Sequence, residues 1–273
     1  SENQDTIAVS FTGSFPGANI ALLSACKASN IYPIIISSMG SSSWGANRLE
    51  MTWIDIEDIL FDEIFNYKSV AVSLGGDNDI AEELSDDIKK DLKKKIKNHG
   101  YEFIDKRSLS ESIQKRMDIY ESYTNAKNYK AYINVGGSAS SLGNEILSQV
   151  FLPGLNFHKD PEMSNEIDEE IVEKNTSYDL SINPIVHRFE SKNIPIINIK
   201  NINKLCMEND LPYLEVDSYA IHTSKLFGVI IKHPLQIIWP CFIASLLVLV
   251  WVVFSSIKQV NKKMEEIEND SIA

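Results

Sequence analysis

The chain has 273 residues and a formal net charge of -12, with a pI near 4.9. That charge excludes general nucleic-acid binding, because the mean field repels a phosphate polymer, yet it leaves room for a local anion site built from backbone N–H groups. With a hydrophobic C-terminal stretch set aside, about 230 residues remain, enough for one large α/β domain with a buried core or for a domain with an insertion.

Along that part of the chain, short apolar runs alternate with amphipathic stretches. This is the pattern of a mostly parallel open sheet with helices on both faces. Thr6–Phe11 reads as a first strand, followed by TGSFPG and a helix over Ala18–Ser29. Tyr32–Ser37 is a second strand leading into SMGSSSWGAN, and a helix over Trp53–Phe65 precedes a third strand, Ser69–Leu74, that ends in GGDND. Ile80, Leu84, Ile88, Leu92 and Ile96 recur every fourth residue and predict a helix over Ile80–Asn98 with one apolar stripe. Its lysines read as a solvated face, with Asp86, Asp87 and Asp91 close by.

Tyr101–Ile104 is a short strand, Leu109–Ala126 a helix, and Ala131–Val135 a strand running into GGSASSLG. From His158 to Leu180 the chain is acidic and aperiodic, a surface excursion in which six residues from Glu162 to Glu173 are Asp or Glu. Pro184–Ser191 then reads as helix, Ile194–Ile199 as strand, and Asn203–Asn209 as helix. The globular domain is thus expected over 1–232, with the acidic excursion at 158–180.

Pro234 to Ile257 holds no charged residue, which exceeds the ~20 apolar residues a membrane span needs. Trp239 and Trp251 lie toward its two ends, as interfacial aromatics do. A transmembrane helix over 234–257 with a short polar tail at 258–273 follows. Lys258, Lys262 and Lys263 after the span outnumber Lys225 and Lys232 before it, which favours a cytoplasmic tail and an extracytoplasmic domain by one lysine. The short tail equally suits a tail-anchored protein facing the cytoplasm. Three cysteines, Cys26, Cys206 and Cys241, show no CxxC pair, so no structural zinc is expected; a Cys26–Cys206 disulfide is an open alternative to free thiols.

Four of the strands run directly into small polar residues at their C-terminal ends. The loops are Thr12-Gly13-Ser14, Ser37 through Asn47, Gly75 through Asp79, and Gly136 through Gly143. Open parallel sheets place ligands along that edge, where glycine admits a close backbone approach and helix N-termini favour anions. Thr12, Gly13, Ser14, Ser41, Ser42, Ser43, Trp44, Asn47, Gly75, Gly76, Gly136, Gly137 and Ser138 are the candidate ligand-binding residues.

No loop is a P-loop, a dinucleotide fingerprint, a GxSxG elbow or an HExxH helix, so neither a cofactor nor a metal is expected. Catalytic candidates must come together by folding: Ser42 or Ser138 as nucleophile, with Asp77 or His187 assisting. Asp77 and Asp79 otherwise form turns and helix caps. Arg48, Arg116 and Arg188 could clamp a carboxylate, although a surface salt bridge is the commoner role of any one of them.

The same loops carry a family resemblance. IAVSFTGSFPGANIALLSACKA, PIIISSMGSSSWGAN followed by TWIDIEDIL, VAVSLGGDND, ESIQKRMDIYE and AYINVGGSASSLG resemble, in order, the motifs of the poly-γ-glutamate system protein family. The resemblance covers roughly residues 6–214. It implies a membrane-associated role in making, exporting or trimming a γ-linked glutamate polymer at the bacterial cell surface, and carries over no catalytic residue. Family members with an N-terminal anchor imply a segment preceding Ser1, which would also put the domain outside.

The expected function is therefore an accessory protein of poly-γ-glutamate synthesis or export. It would bind polymer or glutamate at the C-terminal edge of the sheet and contact the membrane and other synthetase subunits. Two alternatives are a hydrolase or transferase acting on γ-glutamyl amide bonds, and a module sensing glutamate or a nucleotide that regulates the synthetase.

Overall fold

The computed structural model describes residues 4–40, 47–76, 78–143, 151–156, 182–209, 211 and 234–272. The chain forms two compact units, Ser1–Leu214 and Glu215–Ala273. The first unit begins with β1 (Thr6–Thr12), α1 (Pro16–Ala28), β2 (Tyr32–Ser38), a small hairpin of β3 (Asn47–Arg48) and β4 (Met51–Thr52), and α2 (Trp53–Glu63). There follow β5 (Ala71–Ser73), α3 (Asp86–Asn98), β6 (Glu102–Ile104), α4 (Leu109–Tyr123) and β7 (Tyr132–Val135). The unit ends with α5 (Ala139–Leu142), β8 (Gly154–Asn156), α6 (Ile185–Glu190), β9 (Ile196–Ile199) and α7 (Ile202–Glu208).

Seven strands lie in the order β6-β5-β2-β1-β7-β9-β8. The first six are parallel to their neighbours, and β8 is an antiparallel edge on β9. β1 and β2 are nearly continuous apolar runs because both of their faces are covered. From β1 the chain steps outward through β2, β5 and β6, and α1, α2 and α3 supply Leu23, Trp53, Ile54, Leu92 and Ile96 to one core. It then returns to the far side of β1 to lay down β7 and β9. The helices of that half supply Ile113, Met117, Tyr120, Leu142, Val186 and Phe189 to a second core on the opposite face. Right-handed crossovers require this change of face when the direction reverses. The reversal falls between β1 and β7, so the chain leaves them toward opposite faces, the place where such sheets hold a ligand crevice.

The expected α/β architecture is therefore present, with three local differences. Residues Ile80 to Ser85 are not helical. Asp79 and Ala81 take left-handed φ values of 63° and 52°, Ala81 N donates to Gly75 O at 2.6 Å, and α3 starts only after its cap, Ser85. Leu84 still packs against the core from this loop, which is why the apolar spacing looked continuous. GGSASSLG contains the short helix α5 capped by Ser138, and β8 extends the sheet by an edge strand. Cys26 and Cys206 are free thiols, and burial pushes the Cys26 thiol up to about 11. The acidic excursion 158–180 lies outside the described residues.

On the α2–α3 face, among the described residues, the fully buried acid Glu57 is completely partnered. Ser69 N and Ser69 Oγ donate to it at 3.1 and 2.8 Å, and Tyr101 OH lies 2.9 Å away. Ser69 Oγ in turn sits 2.6 Å from Ser37 Oγ, which accepts Trp53 Nε1–H at 3.2 Å. Burial raises the Glu57 carboxyl above its ordinary value. Just outside, Lys95 bonds Asp55 at 2.5 Å, Lys68 bonds Asp58 at 2.6 Å, and His99 contacts both aspartates, joining α2 to α3.

The second unit holds α8, a continuous helix over Pro234–Ile272. Phe242–Lys262, 21 residues, is long and apolar enough to cross a membrane, since a rise of about 1.5 Å per residue carries it across a hydrocarbon core of about 30 Å. Its large apolar side chains, Trp251 and Phe254 among them, are exposed. Pro240 lies within the helix, near its start, and the polar residues after Ile257 continue it without a break to Ile272.

Candidate functional site

Alternation along the parallel strands decides what faces α4. The N-terminal half of that face is apolar, with Ala8, Ile34, Ile36, Ala71, Tyr132 and Ile196. The C-terminal half is polar and still buried: Ser10, Thr12, Ser38, Ser73, Asn134 and Asn198 are each at most 5% exposed. Register makes them neighbours. Thr12 pairs with Ser38, Ser38 with Ser73, Ser10 with Asn134, and Asn134 with Asn198. A row of hydroxyls and amides therefore crosses the sheet beneath α4 and α5.

Helix α4 covers this row with Ser112, Arg116 and Tyr120, spaced at i, i+4, i+8 on one face. Arg116 is fully buried. Its Nη2 donates to Ser73 Oγ at 2.6 Å, Ser38 Oγ at 3.0 Å and Asp79 Oδ1 at 3.0 Å, and its Nε donates to Asp79 Oδ2 at 3.2 Å. Asp79, 4% exposed, also accepts from Ser73 Oγ at 2.6 Å and from Ser112 Oγ. Arg116 does clamp a carboxylate, that of Asp79, as a buried pair and not a surface salt bridge, and Asp79 stands in a turn but is buried. The left-handed backbone at Asp79 turns its carboxylate inward, and a buried arginine needs such a partner to be tolerated.

Toward the crevice, Tyr120 OH donates to Val9 O at 2.7 Å and sits 3.1 Å from Ser10 Oγ. Tyr132 OH lies 2.8 Å from Ser10 Oγ and 3.0 Å from Ser141 Oγ. Burial pushes the Tyr132 phenol up to about 12 and raises the Tyr120 phenol well above its usual value, so both are neutral hydroxyls at pH 7. Ser138 caps α5, accepting Ser141 N–H at 3.2 Å, and its hydroxyl lies 2.9 Å from Ser141 Oγ and 3.2 Å from Ser140 Oγ.

Four buried polar atoms among the described residues have no partner: Thr12 Oγ1, Asn19 Oδ1, Asn134 Oδ1 and Arg116 Nη1. Three of them gather at the crevice between β1 and β7. Asn19 Nδ2 donates to Thr12 O at 3.0 Å, Asn134 Nδ2 donates to Gly136 O at 2.7 Å, and a β-carbon added at Gly136 would drive into Thr12 Oγ1. Gly136 takes φ 96°, so glycine answers both the backbone and the close approach. Gly13 is similarly confined: its N–H donates to Ser38 O at 2.9 Å and a β-carbon there would sit 2.8 Å from Met39 O.

Of the sequence-derived candidates, Thr12, Gly13, Ser14, Gly136, Gly137 and Ser138 lie together on the β1 and β7 turns, at the reversal of strand order. Gly75 and Gly76, with φ 81° and 82°, form the turn that carries Asp79. Asn47 begins β3. Ser41, Ser42, Ser43, Trp44 and Asp77 fall outside the described residues. His187 is on α6, 3.4 Å from Glu190 Oε2 and edge-on to the Phe151 ring. Arg188 donates to Asn183 O and to Gln114, and Arg48 is exposed on the hairpin. Ser38, Ser73, Ser112 and Asn134 had not been singled out. The signal was present in the matching parity of IIISS, AVS and INV and in the four-residue spacing of Ser112, Arg116 and Tyr120. Among the described residues no group of three or more His, Cys, Asp or Glu side chains is placed to hold a metal ion.

Fold and site together define a doubly wound α/β domain with a polar crevice at its topological switch point, followed in the chain by a helix able to span a membrane. Comparison with protein-family models, curated proteins and solved structures gives no match to this chain.

Proposed function

We propose that the protein is a membrane-anchored accessory factor of poly-γ-glutamate synthesis or export, and that it binds a carboxylate-bearing ligand at the C-terminal edge of its sheet. The observation that carries the binding role is the buried polar row ending in unpartnered atoms at the β1–β7 crevice. Leaving such groups unmet costs about 1–3 kcal/mol each, a cost that a ligand donating to and accepting from them removes. The choice of ligand rests on the five ordered motifs that resemble the poly-γ-glutamate system family. The lysines after the span favour a domain on the outer side of the membrane, where such a polymer emerges.

The hydrolytic alternative needs a base on Ser42, which lies outside the described residues, or on Ser138. Among the described residues the Ser138 hydroxyl meets only Ser140, Ser141 and the Ser141 N–H, so an accessory role is the better reading. Calorimetric titration of the full chain in detergent micelles with glutamate and with γ-linked glutamate oligomers tests the proposal. Saturable heat with either ligand, absent with uncharged oligomers of the same length, is expected. No heat with either, from protein shown to be folded, would sink it.

A further inference from the structure

A cleft of about 530 Å³ opens where β5 and β6 end, beside the first turns of α3 and the turn into α4. Its floor is apolar, made by Leu74, Ile80, Phe103 and Ile104. Its walls carry more positive than negative charge. Lys93 is occupied by Asp105 at 3.2 Å, and Asp79, at the inner end, is occupied by Arg116 at 3.0 Å. Asp86 stands in the first turn of α3, where the helix dipole holds a carboxylate. Lys89, Lys90, Lys106 and Arg107 also line the cleft, and none of their side chains has an ion pair or hydrogen bond among the described residues. In a chain with 38 acidic and 26 basic residues, four unpaired cations in one cleft make a local positive field inside a negative one.

We infer that this cleft is a binding groove for an extended polycarboxylate chain. Cations on the walls with an apolar floor match a polymer whose carboxylates alternate with methylenes. A sugar–phosphate chain, whose charges are separated by polar sugars, offers the apolar floor no such methylenes. Because Asp79 belongs both to the cleft and to the Arg116 pair, the groove adjoins the buried polar row. That the chain is γ-linked rests on the proposed function; the preference for carboxylates does not.

The test is fluorescence anisotropy of labelled γ-linked and α-linked glutamate decamers with the full chain in detergent micelles at low salt. The variants are the fourfold Lys89→Gln, Lys90→Gln, Lys106→Gln, Arg107→Gln protein and, separately, Ser138→Ala. All four lining side chains are on the surface, so far-UV circular dichroism should be unchanged. The inference expects the fourfold variant to lose about tenfold or more in affinity, the sum of several exposed charge pairs, and Ser138→Ala, which alters the crevice and not the groove, to lose less than the fourfold variant does. Equal binding of the two linkages, with the same loss in the fourfold variant, supports the groove and overturns the γ-linked reading. Undiminished binding in the fourfold variant with loss in Ser138→Ala overturns the groove and leaves the proposed function in place. Failure of the parent to bind either decamer overturns both, and an RNA of equal charge bound as tightly overturns the assignment to carboxylates.

Discussion

Each face of the sheet buries a polar network, and the two are completed differently. Glu57, between α2 and the start of β5, has donors for both carboxylate oxygens, and the chain from Trp53 through Ser37 and Ser69 leaves no polar atom unmet. The row beneath α4 is larger and stops short: Arg116 Nη1, Thr12 Oγ1 and Asn134 Oδ1 are buried without partners. Low local dielectric strengthens a closed network and penalises an open one. A closed network therefore reads as a structural joint, whereas an open one at a topological switch point reads as a site awaiting a ligand. The two meet on β2, where Ser37 belongs to one and Ser38 to the other.

Breaking the Arg116–Asp79 pair should have the largest effect. Arg116→Met strands a carboxylate that is 4% exposed and should cost about 3–5 kcal/mol in urea unfolding of the full chain in detergent micelles. Replacing both members, Arg116→Met with Asp79→Leu, should recover most of that loss, because no charge is then left buried. A single-variant cost below about 1 kcal/mol would mean that water already reaches Asp79, and the row would no longer be a buried network.

How much of this was legible in the sequence differs between the two networks and the frame that holds them. Strand and helix order followed from alternating apolar runs, because burial of both faces of β1 and β2 enforces them. The crevice was legible because glycine and small polar residues at strand ends, Thr12-Gly13 and Gly136-Gly137 among them, mark the ligand edge of such sheets. Strand order was not legible: nothing local to β7 says that it lies beside β1 and not beside β6. Glu57, and the burial of the Arg116 named as a carboxylate clamp, were not legible for the same reason. Both lie on helices whose charged residues face water by default, and only the tertiary register brings Ser38, Ser73 and Asp79 to one and Ser69 and Tyr101 to the other. Ile80 was misjudged because an apolar residue one helical turn before Leu84 looks the same in a loop that folds back on Gly75.

A smaller effect, and one of opposite sign, is expected in the closed network. Burial raises the Glu57 carboxyl, so the folded protein binds its proton more tightly than the unfolded chain does. Its contribution is then fully present below the unfolded value of about 4.3 and is lost as pH rises through the raised native value. Glu57→Gln can place its carbonyl toward Ser69 N and Tyr101 and its amide toward Ser69 Oγ, which keeps every bond without the charge. The variant should match the parent near pH 4 and exceed it at pH 7 to 8. Burial also raises Asp55 and Asp58, but the bonds from Lys95 and Lys68 outweigh it and hold both below the ordinary carboxylate range. Their contribution is present above that range and fades as pH falls, so it does not change across the pH 7 to 8 window in which the variant is expected to lead. Unfolding midpoints against pH decide the matter, and parallel curves would show that Glu57 is ionised without penalty.

The smallest expected effect bears most directly on the contrast. Thr12→Val removes an unpartnered hydroxyl and keeps a β-branched side chain of the same shape at the end of β1. If Thr12 Oγ1 has no partner in the free protein, the change should be neutral or should stabilise by a few tenths of a kcal/mol, because the folded state no longer holds a desolvated, unbonded group. The counterpart in the closed network, Ser69→Ala, removes a hydroxyl donor to Glu57 and should cost about 1–3 kcal/mol. The two substitutions remove one hydroxyl each from buried positions, one at the end of β1 and one just before β5, so their difference reports on the state of the network around them. A comparable loss in both would mean that Thr12 is already bonded in the free protein, and the open row would then be a joint like the Glu57 network. Stability retained in Thr12→Val together with weaker carboxylate binding would place the hydroxyl where the ligand replaces its missing partner.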